Sequence, residues 1–289
     1  MPPNDDGILQ PIQVGKALTD TDLHMQPDNS LNGQPCDNIS SKNPSYSELT
    51  AIYWAWKNLK KLYPDVRYVG LFHYRRFLAF DEQKFFAPNI AKPEEAIINY
   101  SLDPQMIASI LESGKIILGK RYVFPCTVAA HYCMCHFSGH YRTAARIIRE
   151  QYPEYYEAFF DVMEHSNKLS ACNLFIMKLE DFERYCEWLF AVLSDIENDT
   201  QFQQHKFLRE PGYLAERLFN VYIRKNRIRV KYFNIYSYGG EPDTRSSLIK
   251  FLSCIRRGLS VSKCNTAMFI LSLSLKPIRR LLKKYPPKP

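Results

Sequence analysis

The sequence has no run of about 18 uninterrupted apolar residues, the length a membrane-crossing helix needs. It also lacks the glycine signatures that cradle phosphates or present a nucleophile: there is no Gly-x-x-x-x-Gly-Lys-Ser/Thr, no Gly-x-Gly-x-x-Gly and no Gly-x-Ser-x-Gly. P-loop kinases, dinucleotide-dependent enzymes and α/β hydrolases therefore lose their usual support. Nothing at the start resembles a secretory leader, since Met1-Pro2-Pro3-Asn4-Asp5-Asp6 is polar and acidic. The eight cysteines, at 36, 126, 133, 135, 172, 186, 254 and 264, are scattered, and several lie in apolar runs. That usage fits reduced thiols in a cytoplasmic protein better than a disulfide framework. Finally, residues 245–289 contain no Asp or Glu at all, but 11 Lys and Arg.

What remains is an ordinary soluble composition of 289 residues, 46% apolar and 24% charged, enough for one large domain or two small ones. The net charge of +8 belongs to the tail: residues 1–244 carry 27 basic and 30 acidic side chains. A slightly acidic body is a poor nucleic-acid surface, so no nucleic-acid partner is expected. The tail asks for an anionic partner. Leu248, Phe251, Leu252, Ile255 and Leu259 recur at helical spacing among Lys250, Arg256 and Arg257. A nearly apolar stretch, 267–275, then runs into Pro277 and a last basic cluster. This predicts a body over 1–244 and a basic amphipathic helical tail over 245–289 lying on an anionic membrane surface. Aromatics reach 14%, which suits a bulky core or a stacking site for sugars or bases.

Along the chain, apolar strand-like runs alternate with helical periodicity. Residues 1–44 are polar, with one short candidate strand at 8–14. A helix is expected from Ser45, with Glu48 closing a capping box and Leu49, Ile52, Tyr53, Trp56 and Leu59 on its apolar stripe. Trp54 and Trp56 read as core rather than as a sugar platform. Strands are expected at 66–72, 115–118, 172–177 and 229–235, and helices from Asp103-Pro104 and at 137–150, 153–165, 179–195 and 212–225. This order predicts an α/β fold: a Rossmann-like, mainly parallel sheet flanked by helices. In such sheets ligands gather beyond the carboxyl ends of the strands.

At one strand exit stands His73-Tyr74-Arg75-Arg76. Paired guanidiniums suit a diphosphate, and His73 can donate to the same anion; an exposed arginine pair beside a satisfied histidine fits the bare motif as well. Asp37, Asn38 and Lys42 precede the capped helix and could hold a sugar or ribose, although a polar Asn-Pro loop explains them equally. Glu216, near the start of a helix after Pro211-Gly212, reads on its own as a helical Glu paired with Arg217 or Arg224. His131, Cys133, Cys135, His136 and His140 tempt a metal reading, but no second ligand cluster exists and Cys-x-Cys chelates poorly, so no metal site is expected.

Four blocks in order carry a resemblance. They are Asp37-Asn38-Ile39-Ser40 with Tyr53-Trp54-Ala55-Trp56-Lys57-Asn58; Gly70-Leu71-Phe72-His73-Tyr74-Arg75-Arg76; Asn173-Leu174-Phe175-Ile176-Met177 with Trp188-Leu189-Phe190; and Gly212-Tyr213-Leu214-Ala215-Glu216-Arg217-Leu218. The chain resembles, over about 8–240, the bacterial polysaccharide glycosyltransferases catalogued as domain of unknown function 4422. The resemblance implies a glycosyltransferase A-type fold and transfer of a sugar, galactofuranose among the candidates, from a UDP-sugar. The acceptor would be a lipid-linked capsule, lipopolysaccharide or exopolysaccharide glycan. It places the protein in the cytoplasm, peripheral on the inner face of the plasma membrane. Asp37, Asn38, Lys42, His73, Arg75 and Arg76 would bind the donor, Tyr74, Asn173 and Arg217 would contact substrate, and Glu216, at the helix start where related folds often put their acidic catalytic residue, would be the base of an inverting reaction, with Asp37 the second candidate. No tightly bound cofactor is implied; a divalent ion is not required, because cations at 73–76 can neutralise the leaving UDP. Two departures stand out. The apolar strand ending in His-Lys that family members place before the Pro-Ile-x-Val-Gly block is missing here, and His140 stands where an acidic residue is expected. A shortened, non-catalytic carbohydrate- or membrane-binding copy is therefore the alternative reading.

Overall fold

A computed structural model describes residues 8–80, 102–204 and 209–237. The proposed tail, 245–289, lies outside them.

Five strands form the central sheet: β1 Tyr68–Leu71, β2 Arg76–Ala79, β3 Lys115–Gly119, β4 Phe175–Lys178 and β5 Arg229–Ser237, in the order β1-β4-β3-β5-β2. β3 and β5 pair in parallel, and the other three pairings are antiparallel. β1, β3 and β5 consequently share one direction, while β4 and β2 run against them. The α/β class stands, but the sheet is mixed: a single neighbouring pair is parallel. Apolar alternation fixes which face a side chain takes and carries no information on strand direction.

That alternation builds two cores. Ile116 and Leu118 of β3, with Phe175 and Met177 of β4, face one side; Ile117, Leu174 and Ile176 face the other. The first side is covered by α1 Leu49–Leu62, α3 Val128–Cys135, α4 Ser138–Gln151, α5 Pro153–Glu164, α6 Leu179–Asn198 and α7 Glu210–Lys225. The second is covered by α2 Pro104–Glu112 through Ile107 and Leu111. Each large side chain removed from water this way contributes about 1.5–3 kcal/mol. Local chemistry starts the helices. Asp103 accepts from the Met106 N–H at 2.9 Å and Thr127 from the Ala130 N–H at 3.2 Å, while Pro104, Pro153 and Pro211 sit in first turns where a missing N–H costs nothing. Trp54 is buried, its indole donating to the Ser30 carbonyl, and Trp56 stacks on Phe190.

The first helix departs from expectation. Asn43–Tyr46 makes one turn, Ser47 takes φ 49°, and α1 starts afresh at Leu49 with Glu48 as its N-cap. The Glu48 side chain makes no cap hydrogen bond. The capping box is therefore absent, because the carboxylate is drawn to another partner described below.

Ahead of that helix, the expected 8–14 strand shrinks to Ile12–Gln13, paired with Gln26–Pro27. Asp28 is fully buried and accepts from the N–H groups of Gly15 (2.8 Å) and Lys16 (3.1 Å) and from the Ser40 hydroxyl. Gly15 has φ 69°, and a Cβ there would come within 2.9 Å of Asn43 Oδ1, so only glycine fits. Asp28→Ala strands these donors and should lower stability by about 3 kcal/mol, read as a reduced urea midpoint at unchanged slope. An unchanged midpoint would show that the loop contributes nothing to the fold.

No helix among the described residues is long and apolar enough to cross a membrane.

Candidate functional site

Because β4 and β2 run opposite to β1, β3 and β5, the carboxyl ends of three strands and the amino ends of two meet on one edge of the sheet. β1 and β2 are the outer strands in the sheet order, and residues 72–75 connect them in sequence. His73 and Arg76 close the connection with two backbone hydrogen bonds, His73 N–H to the Arg76 carbonyl at 3.1 Å and Arg76 N–H to the His73 carbonyl at 3.2 Å. Tyr74 and Arg75 form the tip. Tyr74 is 66% exposed, and the Arg75 guanidinium lies over its ring and donates to its hydroxyl. His73 and Arg76 turn inward and are half-buried.

Beside this edge lies a small polar cleft lined by Ser47, Glu48, Arg209, Gly212, Tyr213 and Glu216. It opens where the start of α1 meets the start of α7. Glu216 accepts from the Cys172 N–H at 2.9 Å and pairs with Arg217 at 2.9 Å. Glu48 accepts from Asn173 Nδ2 at 2.9 Å. Arg217, 3% exposed, also donates to the Tyr213 carbonyl at 3.0 Å and lies over the Tyr132 ring. Arg209 donates to the Ser47 hydroxyl at 3.1 Å and lies over the Tyr213 ring.

Two observations set this place apart. Among the described residues, seven non-glycine positions have positive φ, and four of them, Ser47, Cys172, Asn173 and Arg209, border this cleft or hold its carboxylates. Such conformations cost about 1–3 kcal/mol each and persist where surrounding structure enforces them. Buried polar atoms without a hydrogen-bond partner also gather here: His73 Nε2, Asn173 Oδ1 and Arg217 Nε. A buried polar atom left unpaired costs free energy that a ligand can recover.

The electrostatics follow from burial. Burial raises the Glu216 carboxyl above the ordinary range, with the Glu48 charge adding to it; Arg217, the Cys172 N–H and Arg76 pull the other way. Burial lowers the His73 imidazole, helped by Arg76 and Arg209 and opposed by Glu48 and by a hydrogen bond with the Cys172 backbone. His73 is therefore neutral at pH 7. Burial pushes the Cys172 thiol up to about 11, so it is no nucleophile near neutrality.

Of the residues singled out from sequence, the fold brings Glu216, Arg217, Asn173, His73 and Arg76 to one place. Tyr74 and Arg75 stand at the outer tip. The others have internal partners. Asp37 accepts from the Tyr53 hydroxyl at 3.1 Å, Asn38 donates to the Cys36 carbonyl at 2.8 Å, and Lys42 pairs with Glu197 at 2.7 Å. The pairing expected of Glu216 is with Arg217, while Arg224 goes to Asp161. The His/Cys segment disperses. His131 stacks on Phe124, Cys133 and Cys135 are exposed, His136 lies between Tyr132 and Tyr213, and His140 pairs with buried Glu210 at 3.2 Å. Among the described residues, no three His, Cys, Asp or Glu side chains are grouped to hold a metal ion. Glu48, Ser47, Arg209 and Tyr213 escaped the sequence reading. For Glu48 a signal existed: it stands in a run, Glu48-Leu49-Thr50, inside the first of the blocks above, but Ser-x-x-Glu reads first as a helix cap.

A mixed α/β sheet with polar groups converging at one end of its strands defines the fold class. Residues 1–227 match the family described as Domain of unknown function (DUF4422), and the chain belongs to that family. Among solved structures it is similar to the apo WbbM bifunctional glycosyltransferase, at 30% identity and a TM-score of 0.64 over 83% of this chain. The match takes in 45% of that other chain, less than half its length. No curated protein matches the sequence.

Proposed function

We propose that the chain is a glycosyltransferase that moves a sugar from a UDP-sugar to a lipid-linked polysaccharide acceptor with inversion at the anomeric carbon. The observation that carries this reading is the meeting of Arg76 and His73 with the Glu216 carboxylate at the sheet edge, in a chain similar to a glycosyltransferase. The acceptor oxygen attacks the anomeric carbon as the bond to UDP breaks. Glu216 takes the acceptor proton, and UDP leaves with the bonding pair. Arg76 stands where its charge can offset that of the departing diphosphate, and neutral His73 can donate a hydrogen bond to it. Asp37, Asn38 and Lys42 remain candidates for the nucleoside end of the donor, and Tyr74 and Arg75 for contacts made once substrate is in place. Galactofuranose is the donor sugar suggested by the family resemblance.

Calorimetric titration of the full chain with UDP tests the reading. It should bind UDP in preference to inorganic diphosphate, and turnover should persist in EDTA. A chain that binds neither UDP nor any UDP-sugar is not this enzyme. The membrane side of the proposal rests on the basic tail. The full chain should float with anionic vesicles at low salt and lose flotation when 245–289 are removed; equal partitioning of both forms would remove the tail from the account.

A further inference from the structure

We propose that Arg209 is a second cation of the diphosphate site, beside Arg76, and that it holds the β-phosphate, the one that carries the sugar. The proposal rests on the transferase reading and adds a residue that the sequence did not single out, together with the phosphate it binds.

Arg209 is exposed and shares the cleft with two carboxylates, yet it pairs with neither. Glu216 is taken up by Arg217 and the Cys172 N–H, and Glu48 by Asn173 Nδ2. Among the described residues Arg209 makes one side-chain hydrogen bond, from Nε to the Ser47 hydroxyl, and no ion pair. The terminal N–H donors of its fork are left for a ligand, and that fork matches the oxygens of a phosphate. Other cations of the fold are committed, Lys42 to Glu197 and Arg224 to Asp161. Arg76 also acts on Glu216, so three guanidiniums, Arg76, Arg209 and Arg217, meet two carboxylates here. The place is net positive before any anion arrives, and the start of α7 adds the partial positive charge of a helix N-terminus.

The backbone is bent to hold this side chain. Arg209 has φ 68° and Ser47, which receives its Nε, has φ 49°. The Arg209 N–H donates to the Pro44 carbonyl at 3.1 Å, and its guanidinium lies 5.6 Å from the Tyr213 ring centre. Two strained residues on separate elements thus orient one guanidinium, more than an idle surface arginine needs. Arg209 and Arg76 both act on the His73 imidazole, whose Nε2 is buried without a partner. An anion at this spot meets two guanidiniums and an open ring nitrogen. Glu216 decides which phosphate goes where. The acceptor oxygen that it deprotonates attacks the anomeric carbon, and that carbon is bonded to the β-phosphate. The cation lining the same cleft as Glu216 therefore serves the β-phosphate, and Arg76, outside that lining, serves the α-phosphate.

Calorimetric titration of the full chain with UDP, UMP and inorganic diphosphate tests the assignment. Wild type should prefer UDP to UMP. Arg209→Asn should weaken UDP about tenfold and UMP by less than about threefold, so the preference collapses. Asparagine tolerates the left-handed backbone, so the melting temperature should stay near that of wild type. Should Arg209→Asn fail to fold, Arg209→Gly, which suits φ 68° with no side chain, should give the same pattern. An unchanged UDP affinity in the folded variant, or equal losses for UDP and UMP, overturns the proposal. The two readings fail separately. Wild type that binds UDP, with Arg209→Asn unchanged, defeats the role of Arg209 alone. Wild type that binds inorganic diphosphate but no UDP, with the diphosphate weakened by Arg209→Asn, keeps the anion site and defeats the transferase reading.

Discussion

Glu216→Gln should cost at least about 100-fold in turnover while leaving UDP affinity near that of wild type, and it should lower the melting temperature because buried Arg217 loses its carboxylate. The low end for losing a general base is about that factor. Glutamine keeps an oxygen for the Cys172 N–H, so the local backbone stays in place, but it cannot take a proton. The pH dependence carries a sign. The base must be ionised to act, and burial raises the Glu216 carboxyl, so activity should fall with decreasing pH through a range above that of an ordinary glutamate. Steady-state rates of UDP release, with UDP titrations beside them, check both parts. Near-normal turnover in Glu216→Gln would move the role to Glu48, the other carboxylate of the cleft, or to Asp37.

Arg76→Ala should weaken UDP binding by about 1.5–3 kcal/mol, roughly 10- to 100-fold in Kd, the range for a hydrogen bond to a charged group. Arg75→Ala should do less. Arg76 is half-buried and close enough to perturb His73, Cys172 and Glu216, whereas Arg75 sits at the outer tip against Tyr74. A larger loss from Arg75 than from Arg76 would mean that the tip closes over the donor. Calorimetry on the two single variants decides between these outcomes.

Helices were the most legible part of the sequence. The stripe through Phe182, Tyr185, Cys186, Leu189 and Leu193 predicts α6, and all five are buried. Strand starts were less so. The run 172–177 is apolar but for Asn173, yet β4 begins at Phe175, because Cys172 and Asn173 take left-handed conformations that apolarity does not encode. β2 was missed, since Phe77, Leu78 and Ala79 follow two arginines and read as the end of a polar exit. The sheet's mixed directions were hidden because helices α3, α4 and α5 stand between β3 and β4 as they would in a parallel crossover.

The candidate site was legible for Arg76 and His73, whose residue types imply anion binding at a strand exit, and for Asn173 and Glu216 through the family resemblance. Glu48 was not, because the same Ser-x-x-Glu pattern serves a helix cap. Only the fold, which brings Asn173, just ahead of β4, to it across 125 positions, shows which partner the carboxylate takes. The tail lies outside the described residues.

The central claim is sugar transfer from a UDP-linked donor. Its most direct measurement incubates the full chain with radiolabelled UDP-sugars, UDP-galactofuranose among them, and a bacterial lipid extract, and follows label and UDP together. The account predicts that one donor places label in the lipid fraction with an equal amount of UDP released, and that Glu216→Gln loses both in parallel. Label that never leaves the nucleotide with any donor, or transfer undiminished in Glu216→Gln, would contradict it.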